Sequence, residues 1–291
     1  WLPPVIAWSG FVIALWMVLL SLSVLLRKQW TENEKLSYPI VQLPIAMTYQ
    51  PRQFFTNRWM WLGFAISGGI TLINGLHYIN PSIPYLNVKN QTLARFNTKP
   101  WNAMGPLRVS FYPFIIGLMF FTPLDLSFSC WFFYIVGRLQ RILGSAVGMQ
   151  NVYPFEQSIG AWVAFGLTSV WIGRKYYFRI IHHIFSRQQL IDDSREPIKY
   201  QLAFLIAIVG MIFLTLFCFY AGMSSWVIVL FFLIYFPMVI AITRSRAEIG
   251  PPVHTLIYVD PGRTLVTTLG TRLLGPANLT VLTYLYPLNR C

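Results

Sequence analysis

Three uncharged apolar runs, Val5 to Leu26, Leu202 to Met223 and Trp226 to Thr243, constrain this chain more than any other feature. A helix rises about 1.5 Å per residue, so runs of this length reach across a bilayer core of roughly 30 Å. Each therefore reads as a membrane span. The rest of the composition agrees. The chain is 56% hydrophobic and only 11% charged, whereas a soluble domain carries about a quarter charged residues. The net charge of +13 invites a nucleic-acid partner, and its placement argues against one. The Lys and Arg residues gather at the ends of apolar runs, where anionic headgroups and the cytoplasmic bias of basic loops account for them.

Three further membrane segments are expected. Residues 59–79 carry Gly63, Gly68, Gly69 and Gly75, small residues that admit another helix closely. Residues 109–137 are apolar but are broken at Pro123, which removes a backbone donor. Residues 156–173 form the next span, and 279–288 a weak one. Residues 36–47 are short and carry Pro39 and Pro44, so they read as interfacial or re-entrant. The predicted fold is all-α: a polytopic transmembrane helix bundle with at least one broken or re-entrant segment. It is expected to form a single membrane domain over 1–291, as a piece of a longer chain.

Orientation follows from Lys and Arg. Residues 27–58 hold five of them and 174–199 hold six, while the connector Gly222-Met223-Ser224-Ser225 holds none. Segments 27–58, 174–199 and 244–263 are therefore predicted to be cytoplasmic, in a cell membrane such as a bacterial inner membrane. The 80–106 loop and the connector fall outside. An odd number of crossings must then separate residue 80 from residue 174. The two stretches 109–137 and 156–173 give an even number unless one folds back, and Pro123 is the natural place.

Of nine acidic residues, Asp125, Glu156 and Glu248 fall in or beside apolar runs, and Glu32, Glu34, Asp192, Asp193, Glu196 and Asp260 in loops. Asp125 is either a cation, proton or amine site at a broken helix or a helix cap in an external turn. Glu156 and Gln157 line a pathway, or stabilise the start of a helix through its dipole. Asn74 and His77, three residues apart, share a helix face; they open to a cavity or simply end an interfacial helix. Arg244, Arg246 and Glu248 read as anchors at a span end. Neither the three cysteines nor His182 and His183 have metal-site spacing, and no catalytic motif assembles. No metal, cofactor or enzymatic activity is expected.

Residues 27–39, with a basic span end followed by Glu34, Leu36, Tyr38 and Pro39, resemble a signature of the oligopeptide transporter (OPT) superfamily. After Pro39 the chain departs from it, with Ile40-Val41-Gln42 in place of small residues. The whole chain is similar to a group of bacterial membrane proteins of unknown function that share ENEKLSYP (32–39), NGLHYINPSIP (74–84), PLDLSFSCWFFY (123–134), RSRAEIGPP (244–252) and LGPANLT (274–280). The transporter resemblance implies proton-coupled uptake of peptides or metal chelates, with alternating access around a broken helix. The alternative is a non-catalytic accessory subunit of a larger membrane complex. Its partners would be the bilayer and either foreign helices or further copies of itself.

Overall fold

The computed structural model describes residues 1–149, 152–186, 191–194, 196–250 and 260–286. Pro251 and Pro252, residues 287–288 of the weak terminal span, and Cys291 lie outside the described residues. The elements run, in order, α1 (Leu2–Lys28), a π-helical turn (Gln29–Asn33), α2 (Pro39–Tyr49), α3 (Pro51–Thr56), α4 (Arg58–Ile79), β1 (Gln91–Ala94) and β2 (Leu107–Val109). There follow α5 (Pro113–Phe120), α6 (Leu124–Ala146), α7 (Pro154–Ile172), α8 (Arg174–Phe185), α9 (Tyr200–Tyr220), α10 (Ser225–Ile249), α11 (Pro261–Leu269) and α12 (Thr271–Leu285). The fold is an α-helical bundle. Leu2–Asn33, α4, α9 and α10 are long and apolar enough to cross a membrane, so this is a membrane protein.

Proline sets much of this pattern. Helices α2, α3, α5, α7 and α11 each open on a proline, whose fixed φ suits the first helical turn and whose missing N–H is not needed there. Pro39 is thus a helix start, and Pro44 lies inside α2. Pro123 stands between α5 and α6 with an extended ψ of 143°. The eight residues of α5 reach only about 12 Å, too short to cross a bilayer.

The chain forms two compact units. The first comprises Trp1–Leu36, Pro154–Arg244 and the described part of 254–291. Its core packs Phe11, Leu15 and Val18 of α1 with Leu214 and Cys218 of α9, and with Val227, Phe231 and Tyr235 of α10. At one end of this unit Arg27 pairs with Glu196 at 2.7 Å, and Lys28 donates to the Asp192 carbonyl at 2.9 Å. Elsewhere in the unit, the α9–α10 connector is held by Asn278 of α12. Its Oδ1 accepts from the Ser224 N–H at 2.7 Å, and its Nδ2 donates to Ser224 Oγ and to the Leu274 carbonyl. Asn278 is buried and clamps the connector to α12. Asn278→Leu leaves the half-buried Ser224 N–H without its acceptor. It is expected to cost about 1–3 kcal/mol, read as a lower thermal midpoint in detergent; an unchanged midpoint would refute the clamp.

The second unit comprises Ser37–Tyr153 and the described part of 245–253. It contains the chain's only described strands, an antiparallel pair with Gln91 opposite Val109 and a bulge between Thr92 and Ala94. Arg138 of α6 donates to the Met104 carbonyl and to Tyr134 Oη, tying the 101–104 turn to that helix.

Candidate functional site

The site begins where α1 stops being α-helical. The Glu34 N–H bonds to the Gln29 carbonyl at 2.9 Å, five residues back, which widens the last turn into a π-helix. Such turns are frequent at functional sites. Lys35 then takes a left-handed backbone, φ 53°, and the Leu36 N–H reaches back to the Trp30 carbonyl at 3.0 Å. A bulky residue in that region is uncommon and signals a backbone held by its surroundings.

The widened turn presents a polar face toward the interior of the first unit. Glu34 Oε2 lies 2.7 Å from Arg244 Nη2, and both side chains are nearly buried. That contact is off the linear hydrogen-bond direction, so it is an ion pair first. The second nitrogen of the fork, Nη1, donates to Ser169 Oγ of α7 at 3.0 Å. The other carboxylate oxygen, Oε1, accepts from Gln29 Nε2 at 2.8 Å, and Gln29 Oε1 accepts from Asn33 Nδ2 at 2.7 Å. Five polar side chains, from the π-turn and Glu34 directly after it, from α7 and from α10, are thereby linked. The Arg244 guanidinium serves two of these segments at once, which the planar fork allows and an ammonium would not.

Two further groups complete the surroundings. Trp30 Nε1 and Tyr177 Oη are buried close to each other, without a well-formed hydrogen bond among the described residues. The Tyr177 phenol is pushed up to about 12, first by burial and then by the Glu34 carboxylate, with Arg244 pulling the other way. It stays protonated near neutral pH and so remains available as a donor. Buried donors that lack a well-formed acceptor beside an ion pair are costly.

Residues 37–39 and the end of α10 are joined in the second unit. Ser37 Oγ donates to the Glu248 carbonyl at 2.8 Å, and the Tyr38 N–H donates to the Ala247 carbonyl at 2.8 Å. They satisfy carbonyls that the helix end leaves orphaned. Gly250 closes the helix with φ 71°, and a Cβ there would lie 3.0 Å from Pro39 Cβ. The stretches ENEKLSYP and RSRAEIG are therefore paired twice, once within each unit. The model of a family of unknown function, DUF6785, matches residues 1–291. The chain belongs to this family. No curated protein and no solved structure matches it.

The DUF6785 chain places the other expected residues outside this centre. Asp125 is exposed in the first turn of α6, where its carboxylate suits the helix dipole. Glu156 and Gln157 are likewise exposed, in the first turn of α7. Asn74 holds a loop: its Nδ2 donates to the Leu86 carbonyl at 3.0 Å, and its Oδ1 accepts from the Leu86 N–H at 2.8 Å. His77 Nδ1 meets the Ile83 carbonyl, and the ring lies 5.4 Å from that of Tyr85. The shared face of Asn74 and His77 is thus a clamp that folds residues 80–87 back onto α4. Leu36 and Tyr38 are half-buried, and Pro39 is fully buried.

The buried centre therefore contains one motif residue, Glu34, together with Gln29, Trp30, Ser169 and Tyr177, which carry no site signal in the sequence, and Arg244, which reads there as an anchor. Arg244 is 8% exposed and is an ion-pair partner, whereas its position at a span end suggested a snorkelling anchor. The available signal was the scarcity of acids. Glu34 is among the few carboxylates close to a span end, and a buried Arg needs one. No group of three potential metal ligands forms among the described residues. One carboxylate, one guanidinium and several neutral donors suit recognition and gating of a polar solute.

Proposed function

We propose that this protein is a multi-pass secondary transporter, moving small peptides or metal chelates with proton coupling, and that the Glu34–Arg244 centre is its cytoplasmic gate. The observation that carries this is a nearly buried ion pair on a π-helical turn, with the buried Trp30 and Tyr177 donors close by, at the end of two apolar helices. Buried ion pairs rarely repay their desolvation, so one retained in a membrane protein is a candidate functional group. Sidedness supports the gate: Arg27 and Lys28 contact Glu196 and Asp192, and Arg244 pairs with Glu34 just beyond the same helix end, and basic ends are cytoplasmic. The resemblance of residues 27–39 to the OPT signature supplies the substrate class. Alternating access would break and remake the pair as the helices rock.

The test uses the purified full chain in liposomes under an inward proton gradient, with labelled di- and tripeptides and an internal pH dye. Wild type is expected to accumulate peptide and acidify the lumen. Glu34→Gln keeps the shape and loses the charge, and is expected to reduce uptake about tenfold or more. Asp125→Asn, on an exposed first turn, is expected to leave it within about twofold. If Asp125→Asn abolishes uptake and Glu34→Gln does not, the centre moves to Asp125.

One observation favours the accessory-subunit reading. No residue of α4 is buried, and Cβ atoms built at Gly63, Gly68, Gly69 and Gly75 meet nothing within 4 Å. Small open faces suit foreign helices. A wild-type protein that moves no peptide, chelate or proton would sink the transporter reading and leave this one.

A further inference from the structure

Helix α8 carries three distinct stripes. At 3.6 residues per turn, Tyr176, Ile180 and His183 fall on one face, and all three are buried. Tyr176 Oη and Tyr200 Oη share a hydrogen bond of 3.0 Å, which fixes the roll of the helix against α9. A second stripe, Phe178, Ile181 and Phe185, points away from the protein, with Phe178 70% and Phe185 74% exposed. Beside it runs a third stripe of Lys175, Arg179 and His182, also exposed. None of these three forms an ion pair among the described residues.

The junction with α7 supplies a second, independent observation. Trp171, the penultimate residue of α7, is exposed, and Arg174 stacks on its ring at 4.6 Å while Nη1 donates to the Trp171 carbonyl at 3.0 Å. An exposed Trp capped by a cation at the end of an apolar helix marks the depth of the headgroups. Helix α8 starts three residues later, after the turn at Gly173.

We infer that α8 is a docking surface for anionic phospholipid, with its Phe178–Ile181–Phe185 stripe in the outer acyl region and its Lys175–Arg179–His182 stripe on the phosphates. The partner is fixed by complementarity. The apolar stripe requires hydrocarbon, the cationic stripe beside it requires negative charge, and an anionic bilayer surface offers both at that spacing. The inference does not depend on transport. Tyr177, on the inner side of the same helix, borders the Glu34–Arg244 centre, so lipid on α8 lies one helix away from it.

The test is native mass spectrometry of the full chain in mild detergent, titrated with short-chain phosphatidylglycerol or phosphatidylcholine. Wild type is expected to retain phosphatidylglycerol roughly tenfold better than phosphatidylcholine. Lys175→Ser/Arg179→Ser is expected to bring the two lipids within about twofold, and Lys175→Glu/Arg179→Glu to disfavour phosphatidylglycerol. Arg52→Ser/Arg58→Ser, basic residues of the second unit, is expected to keep the preference. Phe178→Ser/Phe185→Ser is expected to weaken both lipids. All five proteins should melt together, because the altered side chains are exposed. An unchanged preference in the Lys175/Arg179 variants overturns the inference. So does inorganic phosphate that competes as well as the lipid does.

Discussion

Arg244→Met is expected to be among the most damaging substitutions in the chain, costing about 3–5 kcal/mol of stability. The cost comes from what remains. Glu34, Gln29 and Ser169 stay buried, and the carboxylate has lost its counter-charge while Ser169 has lost its donor. The double variant Glu34→Leu/Arg244→Met removes both charges and fills the space with apolar volume. It is expected to recover most of the loss, because replacing a buried pair by hydrophobic side chains is often neutral or stabilising. Arg244→Lys keeps the charge but cannot serve Glu34 and Ser169 together, so it should fall between wild type and Arg244→Met. The measurement is the midpoint of heat-induced loss of monodisperse protein in detergent. If the double variant is as damaged as Arg244→Met, the site is a packing element and the charge itself matters little. If it recovers stability but not peptide uptake, the pair is kept for its function.

What could be read from sequence and what could not divides along one physical line. The apolar helices were legible because a membrane span is a local property: about twenty consecutive apolar residues suffice, whatever they pack against. The break between α5 and α6 was legible for the same reason, since Pro123 acts on its own backbone. Burial of a charge is not local. Glu34 sits in a polar stretch and looked solvated, yet Ser169, Tyr177 and Arg244, far away in sequence, enclose it. Asp125 sits in an apolar stretch that left two readings open, an intramembrane site or a cap in an external turn, and α6 leaves it exposed at its first turn. Linear surroundings misjudged Glu34 and could not decide Asp125. Asn74 and His77 were correctly placed on one face, but their partners are carbonyl and N–H groups of a loop, which no side-chain pattern announces. The 91–109 hairpin is two short strands without alternating hydrophobicity, below what periodicity can detect.

Gly166→Leu is expected to unfold the first unit or to prevent its assembly. A Cβ on Gly166 would lie 2.0 Å from the Pro237 carbonyl oxygen, 2.6 Å from its carbon and 2.9 Å from its Cα. All three are backbone atoms, so nothing can swing aside; α7 and α10 would have to separate. Such a displacement reaches further than the contact. Ser169, three residues on and therefore on the same face of α7, would be carried off Arg244, and Ile159 would leave Met238. Gly166→Ala, the smallest step, already exceeds ordinary overpacking costs of about 1–3 kcal/mol unless the helices move. It does so although alanine favours a helix over glycine by about 1 kcal/mol. Gly160 provides the control within α7, since a Cβ there meets nothing within 4 Å, and Gly160→Leu should express and melt as wild type does within about 0.5 kcal/mol. The comparison of folded yield and melting midpoint between the two leucine variants isolates the close approach from any effect of leucine on α7 itself. Equal behaviour would mean that α7 and α10 do not meet at Pro237. The Ser169–Arg244 bond, and with it the α7 side of the buried centre, would then have no structural support.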